Sequence, residues 1–260
     1  MNIPYYHVDA FTGRLFTGNP AGVCMLADWL PDRMLQSIAA ENNLAETAFV
    51  VQRESTFDLR WFTPTIEVDL CGHATLASAH VIFHLLGYRS PAIRFKTRSG
   101  QLTVTRGEDL LELDFPSRPA AACPAPPELI EGLGATPTFT AKALDYLAVF
   151  DSEETIRSLR PDLAVLARLD ALGIIVTAPG TSSDFVSRFF APRAGIPEDP
   201  VTGSAHCTLI PYWAERLNRV KLLAFQVSAR GGELFCENRG ERVWIAGRAV
   251  TYLSGFIHFS

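Results

Sequence analysis

One stretch of this chain is written twice, and any fold proposed for it must accommodate both copies. Residues 60–75 read R-W-F-T-P-T-I-E-V-D-L-C-G-H-A-T, and residues 188–206 read R-F-F-A-P-R-A-G-I-P-E-D-P-V-T-G-S-A-H. Arg60, Phe62 and Pro64 recur as Arg188, Phe190 and Pro192, an offset of 128 (188 − 60). Cys71-Gly72-His73-Ala74 recurs as Thr202-Gly203-Ser204-Ala205 at an offset of 131 (202 − 71), so the second loop is three residues longer. In each copy a β-prone run stops at a proline, a loop with acidic residues follows, and small residues open an apolar helical pattern. The pattern predicts a duplicated domain, with a ligand site expected in a cleft between the halves.

The helix starts suggest what kind of ligand. Small residues there leave backbone N–H groups open, and with the helix dipole these make an anion site, although such residues also serve as plain N-caps. His73 and Ser204 lie in the first turns, and Glu198-Asp199 comes just before the second. Glu46 opens the apolar run Thr47–Val51, where a carboxyl group is either partly desolvated, as acid–base work requires, or held at a solvated strand edge. Two acids with two anion-binding helix starts suit proton transfer at carbon on a small carboxylate-bearing molecule.

Other features are weighed against this. The 48% hydrophobic and 20% charged content is that of a globular chain, and a net charge of −5 without a Lys/Arg run argues against nucleic acid. No basic-then-apolar leader or membrane-length apolar run is present, so the reading is soluble and cytoplasmic. The five cysteines are scattered, never C-x-x-C, and read as reduced core thiols. Cys71 is the exception, because a helix start lowers a thiol pKa. His80 and His84 are four apart without H-E-x-x-H, and read as packing residues rather than metal ligands. Asp9 and Asn19 flank a long hairpin tip; they serve its turns or reach the cleft.

The remaining elements follow from periodicity and breakers. A hairpin is expected over 3–27, a helix from Pro31 to about 42, strands at 44–51 and 57–63, and a single helix over 72–86 closed by Gly87. A three-strand meander is expected over 92–115, then a proline-rich interdomain linker at 116–127. Beyond it come a short helix near 128–133, strands at 138–150, helices broken at Pro161, and strands at 172–178 and 184–191. A helix from Gly203 that Pro211 should kink, and strands over 222–247, complete the second half. The domains are placed at 1–117 and 118–260, with the last strand, about 249–260, expected to return to the first.

Four motifs in order, V-D-A-F-T-G-R-L-F-T-G-N-P-A-G-V (8–23), N-L-A-E-T-A-F-V (43–50), D-L-C-G-H-A-T (69–75) and D-P-V-T-G-S-A-H (199–206), resemble the phenazine biosynthesis PhzF-like family. The resemblance implies the diaminopimelate epimerase-like α+β fold. That fold has two pseudo-symmetric domains, each a curved, mostly antiparallel sheet around a central helix. It also implies a homodimeric isomerase that needs neither metal nor cofactor and acts on a small carboxylate or amino-acid-like substrate. Glu46 matches the general acid/base, and His73, Asp199 and Ser204 the other catalytic positions; Asn19, Gly72, Cys71, Thr202 and Gly203 are expected to bind substrate. Ala45 stands where some members have serine. Related epimerases use two opposed cysteines; Cys71 holds the first place, but Thr202 stands at the second, which disfavours a two-thiol racemase. A two-base epimerase using Glu46 with Cys71 or Asp199, and a non-catalytic small-anion binder, stay open.

Overall fold

In the computed structural model, which describes residues 2–259, the β-branched and aromatic runs become strands and the small-residue runs become the helices between them. The chain divides into two compact units: residues up to Asp114 together with those from Ala246 onward, and Phe115–Ile245.

The first unit begins with β1 (Asn2–Ala10), β2 (Asn19–Leu26), α1 (Asp32–Asn42), β3 (Glu46–Gln52), β4 (Phe57–Phe62) and β5 (Glu67–Val68). Next come α2 (Gly72–His80), β6 (Ala92–Thr97), β7 (Gly100–Arg106) and β8 (Leu111–Pro116). β1 and β2 are antiparallel, β2 and β3 parallel, β3 and β4 antiparallel. β4 then pairs β5 antiparallel and β6 parallel, and β6 pairs β7 antiparallel.

The second unit repeats this order. It contains β9 (Ala121–Ala122), α3 (Pro127–Leu133), β10 (Phe139–Lys142), β11 (Tyr146–Val149), α4 (Glu153–Ser158), α5 (Leu163–Leu166) and β12 (Ile174–Pro179). β13 (Phe185–Ala191), β14 (Ile196–Asp199), α6 (Gly203–Leu217), β15 (Lys221–Gln226), β16 (Gly232–Arg239) and β17 (Arg242–Gly247) follow. β10 and β11 are antiparallel, β11 and β12 parallel, β12 and β13 antiparallel. β13 pairs β14 antiparallel and β15 parallel, and β15 pairs β16 antiparallel. The pairing sequence is therefore the same in both units, as the duplicated segment requires.

Both copies also fold alike in detail. Arg60 forks onto Glu67 with Nε–Oε1 and Nη2–Oε2 both at 2.7 Å, and Arg188 forks onto Glu198 at 2.8 and 2.9 Å. Each guanidinium also lies over the phenylalanine two residues on, 5.2 Å from Phe62 and 4.9 Å from Phe190. Glu198 is thus occupied structurally, and the acidic pair splits into one anchoring residue and one, Asp199, left for the site.

α2 is buried from His73 through Ala79 and packs against β1, β2 and β3. The alanines of this enclosed helix let the strands approach closely, and Thr75 and Ser78 are tolerated there because their hydroxyls donate back to the Cys71 and Ala74 carbonyls. β3 is likewise buried along nearly its whole length. Its Phe49 and Val51 join Leu35, Ile38 and Phe62 under α1, and strand alternation turns Ala48 and Val50 to the opposite face. In the second unit Leu129, Leu133, Ile156, Leu166 and Val176 form the matching cluster under α3, α4 and α5.

Several sequence expectations are corrected. The helix from Gly72 is not uniform: beyond His80 it widens into a π-turn over Val81–Leu85, where the Leu86 N–H reaches the Val81 carbonyl, before Gly87 closes it at φ +68°. The proline-rich stretch is not a bare linker, since β9 lies within it and pairs with β10. The loop after Pro192 is mostly ordered: a single 3₁₀ turn, then β14, so that Asp199 ends a strand. α6 spans Gly203–Leu217 with Pro211 inside it. The last strand, β18 (Ala249–His258), does return to the first unit, pairing antiparallel with β1.

Candidate functional site

The parallel register sets Ala21 of β2 beside Glu46 of β3, so the N-terminal ends of these strands lie together, and α2 packs against both. Three segments far apart in sequence thereby deliver Asn19, Glu46 and the Cys71–His73 helix start to one place. His73 Nε2 lies 3.1 Å from Glu46 Oε2, and its Nδ1 lies 3.1 Å from Asn19 Nδ2 and 3.5 Å from Cys71 Sγ. All four are buried, with Glu46 9% exposed and His73 4%.

Burial opposes a charged imidazole, but the Cys71 sulfur and the Glu46 carboxylate outweigh it and hold His73 well above the usual histidine range. With both ring nitrogens carrying hydrogen, Nε2–H donates to Glu46 and Nδ1–H needs the Asn19 carbonyl oxygen; a neutral ring takes the Asn19 amide N–H instead. Turning the Asn19 amide serves either state. The expected low thiol pKa of Cys71 is reversed: burial, reinforced by the Glu46 charge, pushes the thiol up despite His73 and the Ala74 N–H. A helix start activates a thiol only where water or a cation stabilises the thiolate, and this sulfur is enclosed beside an anion. Gly72 opens the first turn of α2.

The second copy builds a different network at its helix start. Asp199, 9% exposed, accepts a 2.5 Å hydrogen bond at Oδ2 from the Thr202 hydroxyl. That hydroxyl is turned away from the first-turn N–H groups of α6, which Gly203 and half-buried Ser204 begin. Gln226, at the end of β15, accepts from the Thr202 N–H at 2.8 Å and donates to the Asp199 carbonyl at 2.7 Å. Sequence reading missed Gln226, since nothing at that strand end distinguishes it until β15 is laid beside β13. Of the sequence-predicted residues, Asn19, Glu46, Cys71 and His73 thus meet in the first unit, and Asp199 meets Thr202 in the second beside Gly203 and Ser204.

Asp9 proves to be a turn residue in part, accepting the Phe16 N–H at 3.0 Å. His80 and His84 lie with ring centroids 4.9 Å apart and planes tilted by 33°, His80 Nε2 lies 3.0 Å from Thr251 Oγ1, and the pair lines a cavity of about 370 Å³ with Arg106 and Arg248. Among the described residues, Glu46, Cys71 and His73 are the grouping of three metal-ligating types close enough to share an ion. No helix of the described residues is long and apolar enough to cross a membrane.

The family model described as phenazine biosynthesis-like protein matches residues 8–255. The chain belongs to this family. An uncharacterized isomerase of Pseudomonas aeruginosa is 53% identical over 258 residues, covering 99% of this chain and 100% of the relative. A crystal structure of a PhzF-family phenazine biosynthesis protein from Enterococcus faecalis superposes with a TM-score of 0.98 at 47% identity, covering 100% of both chains. At the level of fold alone, a hydroxyproline epimerase from Agrobacterium vitis matches with a TM-score of 0.63 at 11% identity, covering 98% of this chain and 92% of that one. The PhzF-like chain therefore has the α+β, epimerase-type fold that its resemblance to the family implies, and the repeat is the mark of its duplication.

Proposed function

We propose that this PhzF-like protein is an isomerase that moves a proton between carbon positions of a small carboxylate-bearing substrate, with Glu46 as the general acid/base. The observation that carries this reading is the buried Glu46–His73–Asn19 chain at 3.1 Å per link. A carboxylate in such a chain is oriented and cut off from bulk water, and His73 supplies a countercharge as the proton comes and goes. The isomerase names of relatives about half identical to the chain support the same class.

The supporting roles follow from donor chemistry. The N–H groups of Gly72 and His73 offer an anion cradle at α2, and those of Gly203 and Ser204, with the Ser204 hydroxyl, offer one at α6. Asp199, held by Thr202 and through its backbone by Gln226, serves as a fixed polar contact for substrate. In this reading the chemistry needs no metal or coenzyme, and the protein works in the cytoplasm as a homodimer on a diffusible acid. Sedimentation analysis tests the dimer.

Incubating the protein with a panel of small amino and hydroxy acids in D₂O tests the activity by mass spectrometry and NMR. Deuterium entering one C–H of a ligand, with the product isomer formed and the exchange lost in Glu46→Gln, is the expected result. Exchange that survives Glu46→Gln removes Glu46 from the role. Saturable binding without exchange for every ligand bound makes the protein a binder rather than an enzyme.

A further inference from the structure

We infer that Glu46, Cys71 and His73 form a capture site for a soft or borderline divalent cation, of the Zn²⁺ or Cd²⁺ class, whose occupancy switches the proton-transfer site off. The carboxylate oxygen, sulfur and imidazole nitrogen all lie within 4.8 Å of one another. His73 Nε2 is 3.1 Å from Glu46 Oε2, and Cys71 Sγ is 3.5 Å from Nδ1 and 4.0 Å from Nε2 of the same ring. Tetrahedral zinc, with bonds of about 2.0 Å to N and O and about 2.3 Å to S, sets N···O near 3.3 Å and N···S near 3.6 Å. Bringing the three donors to an ion bound through Nε2 also takes a swing of the Cys71 side chain from the Nδ1 side of the ring toward Nε2, with the fourth position left to water.

The donor types fit as well as the spacing. One thiolate, one imidazole and one carboxylate are the ligand kinds that borderline cations prefer over the oxygen-only sets of Mg²⁺ and Ca²⁺. Binding releases the Cys71 thiol proton, and any proton on Nε2, to solvent. The resulting thiolate and carboxylate then neutralise the dication in a buried setting. Asn19 completes the arrangement, because an Nε2-bound ring carries its hydrogen on Nδ1, where the Asn19 carbonyl oxygen can accept it. The other thiols are poorer sites, since none of the described residues joins Cys24, Cys123, Cys207 or Cys236 into such a grouping.

The inhibitory half of this inference rests on the proposed function, since it treats Glu46 and His73 as the groups an ion disables; the binding half does not. Titrating chelator-treated protein with Cd²⁺ and following the thiolate-to-metal band in the ultraviolet tests the binding. One equivalent should bind with a band that is absent in Cys71→Ser, unchanged in Cys123→Ser, and at least about 10-fold weaker in apparent affinity in His73→Gln. No saturable band, or one that persists in Cys71→Ser, overturns the site. Solvent-proton exchange should fall with the same midpoint and return on adding EDTA. A full one-equivalent band with undiminished exchange upholds the metal site and counts against Glu46 as the acid/base.

Discussion

His73 and Glu46 face each other at 3.1 Å, although 27 positions (73 − 46) separate them and each belongs to a different element. Parallel pairing of β2 with β3 and the packing of α2 against both fix that meeting, so neither side chain must search for the other. Removing the carboxylate while keeping its shape should show whether the contact is chemical. Glu46→Gln is expected to lower exchange by about 10²–10⁴-fold while the protein stays folded, its urea midpoint shifted only by the lost countercharge to His73. A variant that loses activity only because it unfolds will show it in that midpoint.

The same contact should be visible in a titration. His73 is held above the usual histidine range, burial working against this and the Cys71 sulfur and the Glu46 carboxylate overcoming it. In metal-free protein, NMR of the imidazole ring should give a midpoint above that of a solvated histidine, and Glu46→Gln should move it down. The stability this raised group confers is complete below the ordinary histidine pKa of about 6.5 and is lost as pH rises through its elevated value. Denaturation at stepped alkaline pH should show that loss flattened in Glu46→Gln.

On the acid side a second histidine contributes. His206 is fully enclosed beside Phe185, its Nδ1 lies 2.8 Å from the Thr202 carbonyl, and burial pushes its pKa down to about 4. The unfolded chain binds that proton more readily, so stability should fall as pH drops from about 6.5 through 4, by about 3 kcal/mol in total from this residue. His206→Asn can keep a donor to Thr202 without titrating. Urea midpoints measured across that range should depend less on pH in the variant.

The forked arginines make a prediction about folding rather than chemistry. The Arg188 side chain is 11% exposed, bonds Glu198 twice, and also donates to the Ile156 and Leu159 carbonyls at 3.0 Å. Arg188→Met should cost about 3 kcal/mol by leaving a half-buried carboxylate and two carbonyls unanswered. The double variant Arg188→Met/Glu198→Met should recover part of that loss. Equal losses in both would mean the carboxylate carries no penalty when left alone.

The duplication was legible because its markers are residues with few substitutes: a forked arginine, a strand-ending proline, a glycine in a helix's first turn. Glu46 and His73 were legible for a similar reason, as polar groups set into apolar runs. Gln226 was not, since its value depends on β15 lying parallel to β13, a pairing no local pattern encodes. Cys71 was misread because a helix start was weighed without the anion that a neighbouring strand sets beside it. The π-turn after His80 escaped notice because Val81–Leu85 fits a regular helix equally well by residue type. Ala121–Ala122 escaped because two alanines among prolines give no β signal of their own.

β18 has a consequence for the order in which the molecule is made. The strand that borders β1 leaves the ribosome only after every residue of the second unit. Vectorial synthesis therefore leaves β1 with a bare edge until the second unit has been made, while that later-made unit already has all its strands. A prematurely terminated chain would keep Glu46 and His73 yet display that open edge to its neighbours.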